Sequence, residues 1–172
     1  MKLIIIAAVS ENYIIGKDNK LLWKLPADMK FFKDKTYDHC IITGRKNYES
    51  IPEKFRPLPG RINIIVTRDP DYESKAPGTI CVSSIEQAVI EAETLNETET
   101  FIIGGGEIYS QTINIADEMW ITHVRKEFEG DTIFPTIDEN YWTVNSITTH
   151  FKDEKHNYDF DIIHYVKKPT ND

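Results

Sequence analysis

Residues 3–9, "LIIIAAV", form an unbroken apolar run, and no other stretch restricts the fold as strongly. A strand that faces water on one side alternates apolar with polar residues, whereas a strand covered on both faces does not. A membrane span needs about 20 apolar residues, far more than this run supplies. A single lysine precedes the run, and polar Ser10-Glu11-Asn12 follows it without a small-residue cleavage site, so it does not read as a signal peptide. The reading is a buried strand of a largely parallel sheet, which requires helices on both faces.

The chain supplies them. "HCIIT" (39–43) ends on Gly44 and leads into a helical "RKNYESI", and "RINIIVT" (61–67) follows the rigid turn "FRPLPG". "TICV" precedes the amphipathic helix "SIEQAVIEAETL", with Ser84 as its N-cap. "TFII" (100–103) runs into Gly104-Gly105-Gly106 and a helical "EIYSQTINIA". Pro26 opens a helix over 26–35. Ser10 to Lys24 reads as one long loop, and loops of that length are often functional. Beyond residue 117 the pattern changes: "EMWITHVRK", "DTIFP", "YWTVNSITTHF" and "YDFDIIHYVKK" alternate, the last two as a hairpin around "KDEKHN". The expectation is an α/β single domain over residues 1–172, with a mixed, mostly parallel sheet of about eight strands, antiparallel C-terminal strands and about four flanking helices.

Charge narrows the partners. A net charge of −8 argues against a general nucleic-acid or membrane-surface binder, while 20 basic residues still allow a local site for a phosphorylated small ligand. Cys40 and Cys81 lie in apolar runs without metal-ligand spacing, and the five histidines share no zinc spacing. No metal is expected, and the two free thiols suit a reducing, cytoplasmic location. Neither G-x-S-x-G nor G-K-[ST] occurs, so chemistry is expected from a cofactor.

Four places suggest a site. In "LLWKLPADMKFFKDK", Asp28 stands among Leu25, Met29, Phe31 and Phe32 in the first turn of its helix. It either complements the helix dipole or receives a ligand. At "IITGRKN", Arg45 and Lys46 begin a helix, where cations oppose the dipole and an anion would compensate. Arg68 of "TRD" emerges at the same sheet edge, and the two arginines suit a phosphate monoester, whereas Arg61 lies at the opposite strand end and suits a carboxylate. Gly104-Gly105-Gly106 is not the dinucleotide fingerprint, since Tyr109 stands where the third glycine belongs. It is either a simple turn or a close approach of backbone to ligand.

Taken in order, "AAVSENYIIGKDNKLLWKLPADMKFFK", "ITGRKNYESI", "RPLPGRINIIVTR", "FIIGGGEIYSQ", "WITHV" and "EGDTIFP" resemble the dihydrofolate reductases of bacterial chromosomes over nearly the whole chain. The resemblance implies NADPH-dependent reduction of 7,8-dihydrofolate to tetrahydrofolate, with hydride passing from nicotinamide C4 to pterin C6 and a proton to N5. It implies that Asp28 binds the pterin N3 and 2-amino group, supported by Thr122, with Trp23 near the substrate. Met29, Phe32 and Ile51 would wall the p-aminobenzoyl group, Arg61 would hold the glutamate α-carboxylate, and Ile6, Ala8 and Ile103 would border pterin and nicotinamide. Gly44, Arg45, Lys46, Asn47, Thr67 and Arg68 would hold phosphates and adenosine. Gly104, Gly105 and Gly106 would pass the pyrophosphate, with Glu107 and Ile108 beside them, Tyr109 touching the nicotinamide side, and Ile15 and Gly16 closing from the loop. The family's Gly–Gly cis peptide would fall at Gly104–Gly105, and Ser10–Lys24 would be a lid touching "EGDT" (129–132). A monomer is implied.

Three departures stand out. Leu22 replaces the usual proline before the tryptophan, Glu107 stands where a basic residue often follows the glycines, and "PEKF" (52–55) lengthens the loop before "RPLPG". The competing readings are a non-catalytic NADPH-binding module and the pyrimidinone reductase of riboflavin synthesis.

Overall fold

The computed structural model describes residues 1–17, 22–74 and 76–169. Among them are strands β1 (Lys2–Val9), β2 (Ile14–Gly16), β3 (Cys40–Gly44), β4 (Ile62–Val66), β5 (Thr79–Val82), β6 (Glu99–Gly104), β7 (Glu118–Val124), β8 (Thr132–Ile133), β9 (Trp142–His150) and β10 (Phe160–Lys167). The helices are α1 (Pro26–Thr36), α2 (Arg45–Ser50), α3 (Ile85–Thr94) and α4 (Gly106–Thr112), with one 3-10 turn at Glu53–Phe55.

Eight strands form one sheet in the order β5-β4-β3-β6-β1-β7-β10-β9. Every neighbouring pair from β5 to β7 is parallel, and β10 runs antiparallel to both β7 and β9. The mixed sheet, antiparallel C-terminal strands and four helices are the expected architecture.

The apolar run of β1 is explained by its position near the middle. Leu3, Ile5 and Val9 join one buried cluster, with Ala88 and Ala92 of α3 and Ile108 of α4. Ile4 and Ile6 face the other side, with Phe101, Phe31 and Phe32. Side chains alternate between faces, so a strand with helices on both sides needs apolar residues at every position. A third cluster, Leu25, Val124 and Phe160, seals the start of α1 against β7 and β10.

Two expectations need correction. The stretch from Ser10 to Lys24 is not loop throughout, because β2 lies within it and pairs antiparallel with β8 in a separate two-stranded sheet. Residues 18–21 of the expected lid lie outside the described residues. The last helix is also shorter than "EIYSQTINIA", since α4 ends at Thr112. The Ser84 cap is as expected, its Oγ accepting from the Gln87 N–H at 3.1 Å. No described helix is long and apolar enough to cross a membrane.

Candidate active site

The carboxyl ends of β1, β3, β4, β5 and β6 open on a cavity of about 850 Å³. Ligands of open α/β sheets bind at this end, where the backbone leaves the strands. Each strand delivers short or charged residues there: Ala8 from β1, Gly44 to Asn47 from the β3–α2 junction, Thr67 and Arg68 after β4, and Ser83 and Ser84 after β5. β6 contributes Ile103, then Gly105 and Gly106 leading into Glu107, Ile108 and Tyr109, while Ile15 and Gly16 of β2 close one side.

The glycines shape this wall differently. Gly104 has φ of 109°, and a Cβ there would meet the Tyr109 ring at 2.8 Å, so it makes the turn but does not line the cavity. Gly105 lines the cavity, and a Cβ on it would meet no protein atom within 4 Å. Its missing side chain therefore leaves room for a ligand. The Gly104–Gly105 peptide is cis. Tyr109 is buried, with its hydroxyl 2.8 Å from the Ile6 and Ile103 carbonyl oxygens, which locks β6 to β1 beneath the glycine turn.

The basic residues are present, and acids accompany them. Arg45 bonds Glu49 at 3.0 Å and Asp69 at 3.4 Å and lies over the Tyr72 ring, while Arg68 donates to Glu107. Both arginines and Glu107 are solvent-exposed, where such pairs contribute little stability and exchange readily for another anion.

Asp28 sits in the first turn of α1, half-buried, and its Oδ1 accepts from the Thr122 hydroxyl of β7 at 2.6 Å. Burial raises its pKa, and the Thr122 bond partly offsets that. Nearby, Ile6, Phe31, Phe32, Leu58, Ile103 and Trp120 form an apolar cluster. Ile103 belongs to this cluster and also lines the large cavity, so one side chain borders both regions.

A family model described as dihydrofolate reductase matches residues 2–167. The dihydrofolate reductase of Bacillus subtilis is 43% identical over 166 residues, covering 96% of this chain and 95% of that protein. That of Staphylococcus haemolyticus is 40% identical over 160 residues, covering 93% and 92%. The chain belongs to the dihydrofolate reductase family. The fold agrees: a solved dihydrofolate reductase from Enterococcus faecalis, complexed with NADP(H) and RAB-propyl, superposes with a TM-score of 0.89 at 36% identity, covering 98% of this chain and 97% of that one.

The residues singled out in sequence are spread over several places of this dihydrofolate reductase fold. All the expected cofactor residues except Gly104 line the large cavity, joined by Ser50, Val66, Asp69, Ser83, Ser84, Gln111 and Thr132, which sequence reasoning did not assign to it. Ser83 and Ser84 carried a usable signal, being small hydroxyl residues at a strand end. Asp28 and Thr122 meet, and Ile6, Phe32 and Ile103 cluster. Met29 is exposed, and Ile51 sits half-buried where α2 ends. Arg61 lies apart, lining a second cavity of about 500 Å³, with its Nη1 on Thr36 Oγ1 at 3.1 Å and Nε on the Pro59 carbonyl at 2.9 Å. Trp23 packs on Phe128, ring centroids 5.3 Å apart.

Two contacts had no sequence signal. Asn12 exchanges side-chain bonds with the Phe128 backbone, N–H and carbonyl, joining the turn before β2 to the loop before β8. His150, Asp153 and His156 gather at the β9–β10 hairpin, with ligand atoms within 4.8 Å of one another.

Proposed function

We propose that this chain catalyses the NADPH-dependent reduction of 7,8-dihydrofolate to 5,6,7,8-tetrahydrofolate, with Asp28 as the acid that binds the pterin. The observation that carries this is the Thr122–Asp28 hydrogen bond beside an apolar cluster that continues into the large cavity. A carboxylate offers about four lone-pair sites, so accepting from Thr122 leaves room for a planar pair of N–H donors. Because Asp28 is drawn out of water, such a charge-assisted pair is strong there.

The donor set of the cavity fits NADPH. Arg45 and Arg68 suit a 2′-phosphate, Thr67, Ser83 and Ser84 supply hydroxyls, and Gly105 leaves space for close backbone approach. Bound there, NADPH supplies hydride from its nicotinamide C4 for pterin C6. The chain orients and excludes water: Ala8, Ile15 and Ile103 border the nicotinamide end, and Ile6, Met29, Phe32 and Ile51 wall the folate. Arg61 receives the glutamate α-carboxylate, and burial, which lowers its guanidinium pKa, makes an anionic partner more favourable. Trp23 covers the substrate from the loop side. Asp28 fixes the ring and polarises it, and solvent supplies the N5 proton. The chain is read as one domain, working as a cytoplasmic monomer, which sedimentation at the mass of one chain would support.

The test is loss of NADPH absorbance when dihydrofolate is added. Turnover dependent on both compounds is expected. Folded, NADPH-binding protein that leaves dihydrofolate unreduced would overturn the reading.

A further inference from the structure

We infer that His156 is a positioning residue for Asp28: its imidazole caps helix α1 from the far hairpin and so sets where the carboxylate stands. The inference rests on the reading of Asp28 given above. Helix α1 needs such a partner. Its N-cap position is Leu25, which has no side-chain acceptor, whereas caps are ordinarily Ser, Thr, Asp or Asn. The first N–H groups of a helix have no partner within it. Pro26 has no N–H, and the Met29 N–H bonds the Leu25 carbonyl at 3.0 Å. The Ala27 N–H, immediately before Asp28, donates to His156 Nε2 at 3.0 Å across 129 positions of sequence.

The hairpin holds the ring in the state this requires. His156 is 5% exposed, and its Nδ1 lies 2.7 Å from Asp153 Oδ1. A neutral imidazole has one donor and one acceptor nitrogen. With Nε2 accepting from Ala27, the proton belongs on Nδ1, which donates a hydrogen bond to Asp153 Oδ1. Asp153 is fixed in turn by the Lys155 N–H at 2.9 Å and by His150 Nε2 at 3.4 Å. Reciprocal backbone bonds between Asp153 and His156 close the turn. The ring of His150 stacks on Phe160, which is fully buried with Leu25 in the cluster below α1.

The same logic weighs against reading His150, Asp153 and His156 as a metal site. A metal on His156 Nδ1 would put the ring proton on Nε2, facing the Ala27 N–H, and two donors would then oppose each other. The arrangement serves α1 instead. Thr122 of β7 fixes the carboxylate, and His156 of the hairpin fixes the backbone that carries it.

The test compares His156→Leu, His156→Gln and Asp153→Ala with the wild type. Loss of a cap weakens binding of dihydrofolate to His156→Leu by roughly three- to tenfold, read by quenching of tryptophan fluorescence, with NADPH affinity unchanged. His156→Gln, whose amide oxygen can reach the place of Nε2, recovers most of the loss, and Asp153→Ala, at an exposed position, gives an intermediate value. Hydrogen exchange at the Ala27 amide gives a readout independent of ligand: protected in wild type and His156→Gln, unprotected in His156→Leu. Unchanged dihydrofolate affinity in His156→Leu with the Ala27 amide deprotected would overturn the inference. Equal weakening of both ligands without rescue by Gln would also overturn it. A wild type that does not bind dihydrofolate would instead remove the reading of Asp28, while the Ala27 protection would still report the cap.

Discussion

Asp28 is drawn out of water by the fold, and the direction of its titration follows. Desolvation holds its pKa above the ordinary carboxylate value, with the Thr122 hydrogen bond only partly offsetting this. The folded state therefore binds its proton more tightly than the unfolded state does. Stability from this group is full below the ordinary carboxylate pKa and is lost as pH rises through the raised folded value. At neutral pH the charge costs stability, so Asp28→Asn is expected to raise the ligand-free Tm by about 2–4 °C for each kcal/mol removed. The gain should vanish in acid, and melts across pH would show it; a neutral-pH loss would contradict the account. Asp28 could be noticed in sequence because an acid stands out in an apolar stripe. The arginine positions were legible too, but their partners were not, since Arg68 and Glu107 are 39 positions apart and follow different strands. Glu107→Gln frees Arg68 and should tighten NADPH by up to about fivefold, the limit for an exposed pair, with a steeper salt dependence of the dissociation constant.

The strands and helices with long apolar patterns were readable because burial on two faces leaves a continuous run. The small elements were not. β2 has three residues and its partner β8 two, too short for any period, and they pair across more than a hundred positions. They matter to the proposed site, because β2 carries Ile15 and Gly16 to the wall of the large cavity. Gly130 is where this small sheet admits no side chain: a Cβ there would stand 2.3 Å from Ile14 Cγ2 and 2.6 Å from the Gly16 carbonyl oxygen. Gly130→Ala should push β2 outward and raise the NADPH dissociation constant by about tenfold or more, the scale of an overpacked contact. The global fold should survive, which circular dichroism would check. Unchanged NADPH affinity would show that β2 does not form the cavity wall.

At the scale of the molecule, strand order was the part that sequence could not give. Continuous apolar runs mark β1, β3, β4 and β6 as central, yet nothing in them says that β6 inserts between β1 and β3. That insertion brings Gly44 and Gly105 to one cavity from segments separated by two further strands and two α-helices. The charge distribution has the same character, with a net charge of −8 on the chain and arginines kept at the cavity. A ligand that binds only the folded chain stabilises it by mass action, about 2.7 kcal/mol at a hundredfold excess over its dissociation constant. NADPH at that excess should raise Tm by roughly 5–11 °C for a chain of this size. The most direct measurement sets wild type beside Asp28→Asn, reading dihydrofolate-dependent NADPH oxidation at neutral pH together with the NADPH dissociation constant of each. Turnover in the variant is expected to be largely abolished while its NADPH affinity matches wild type. Wild-type turnover in Asp28→Asn, or loss of both properties together, would contradict this expectation.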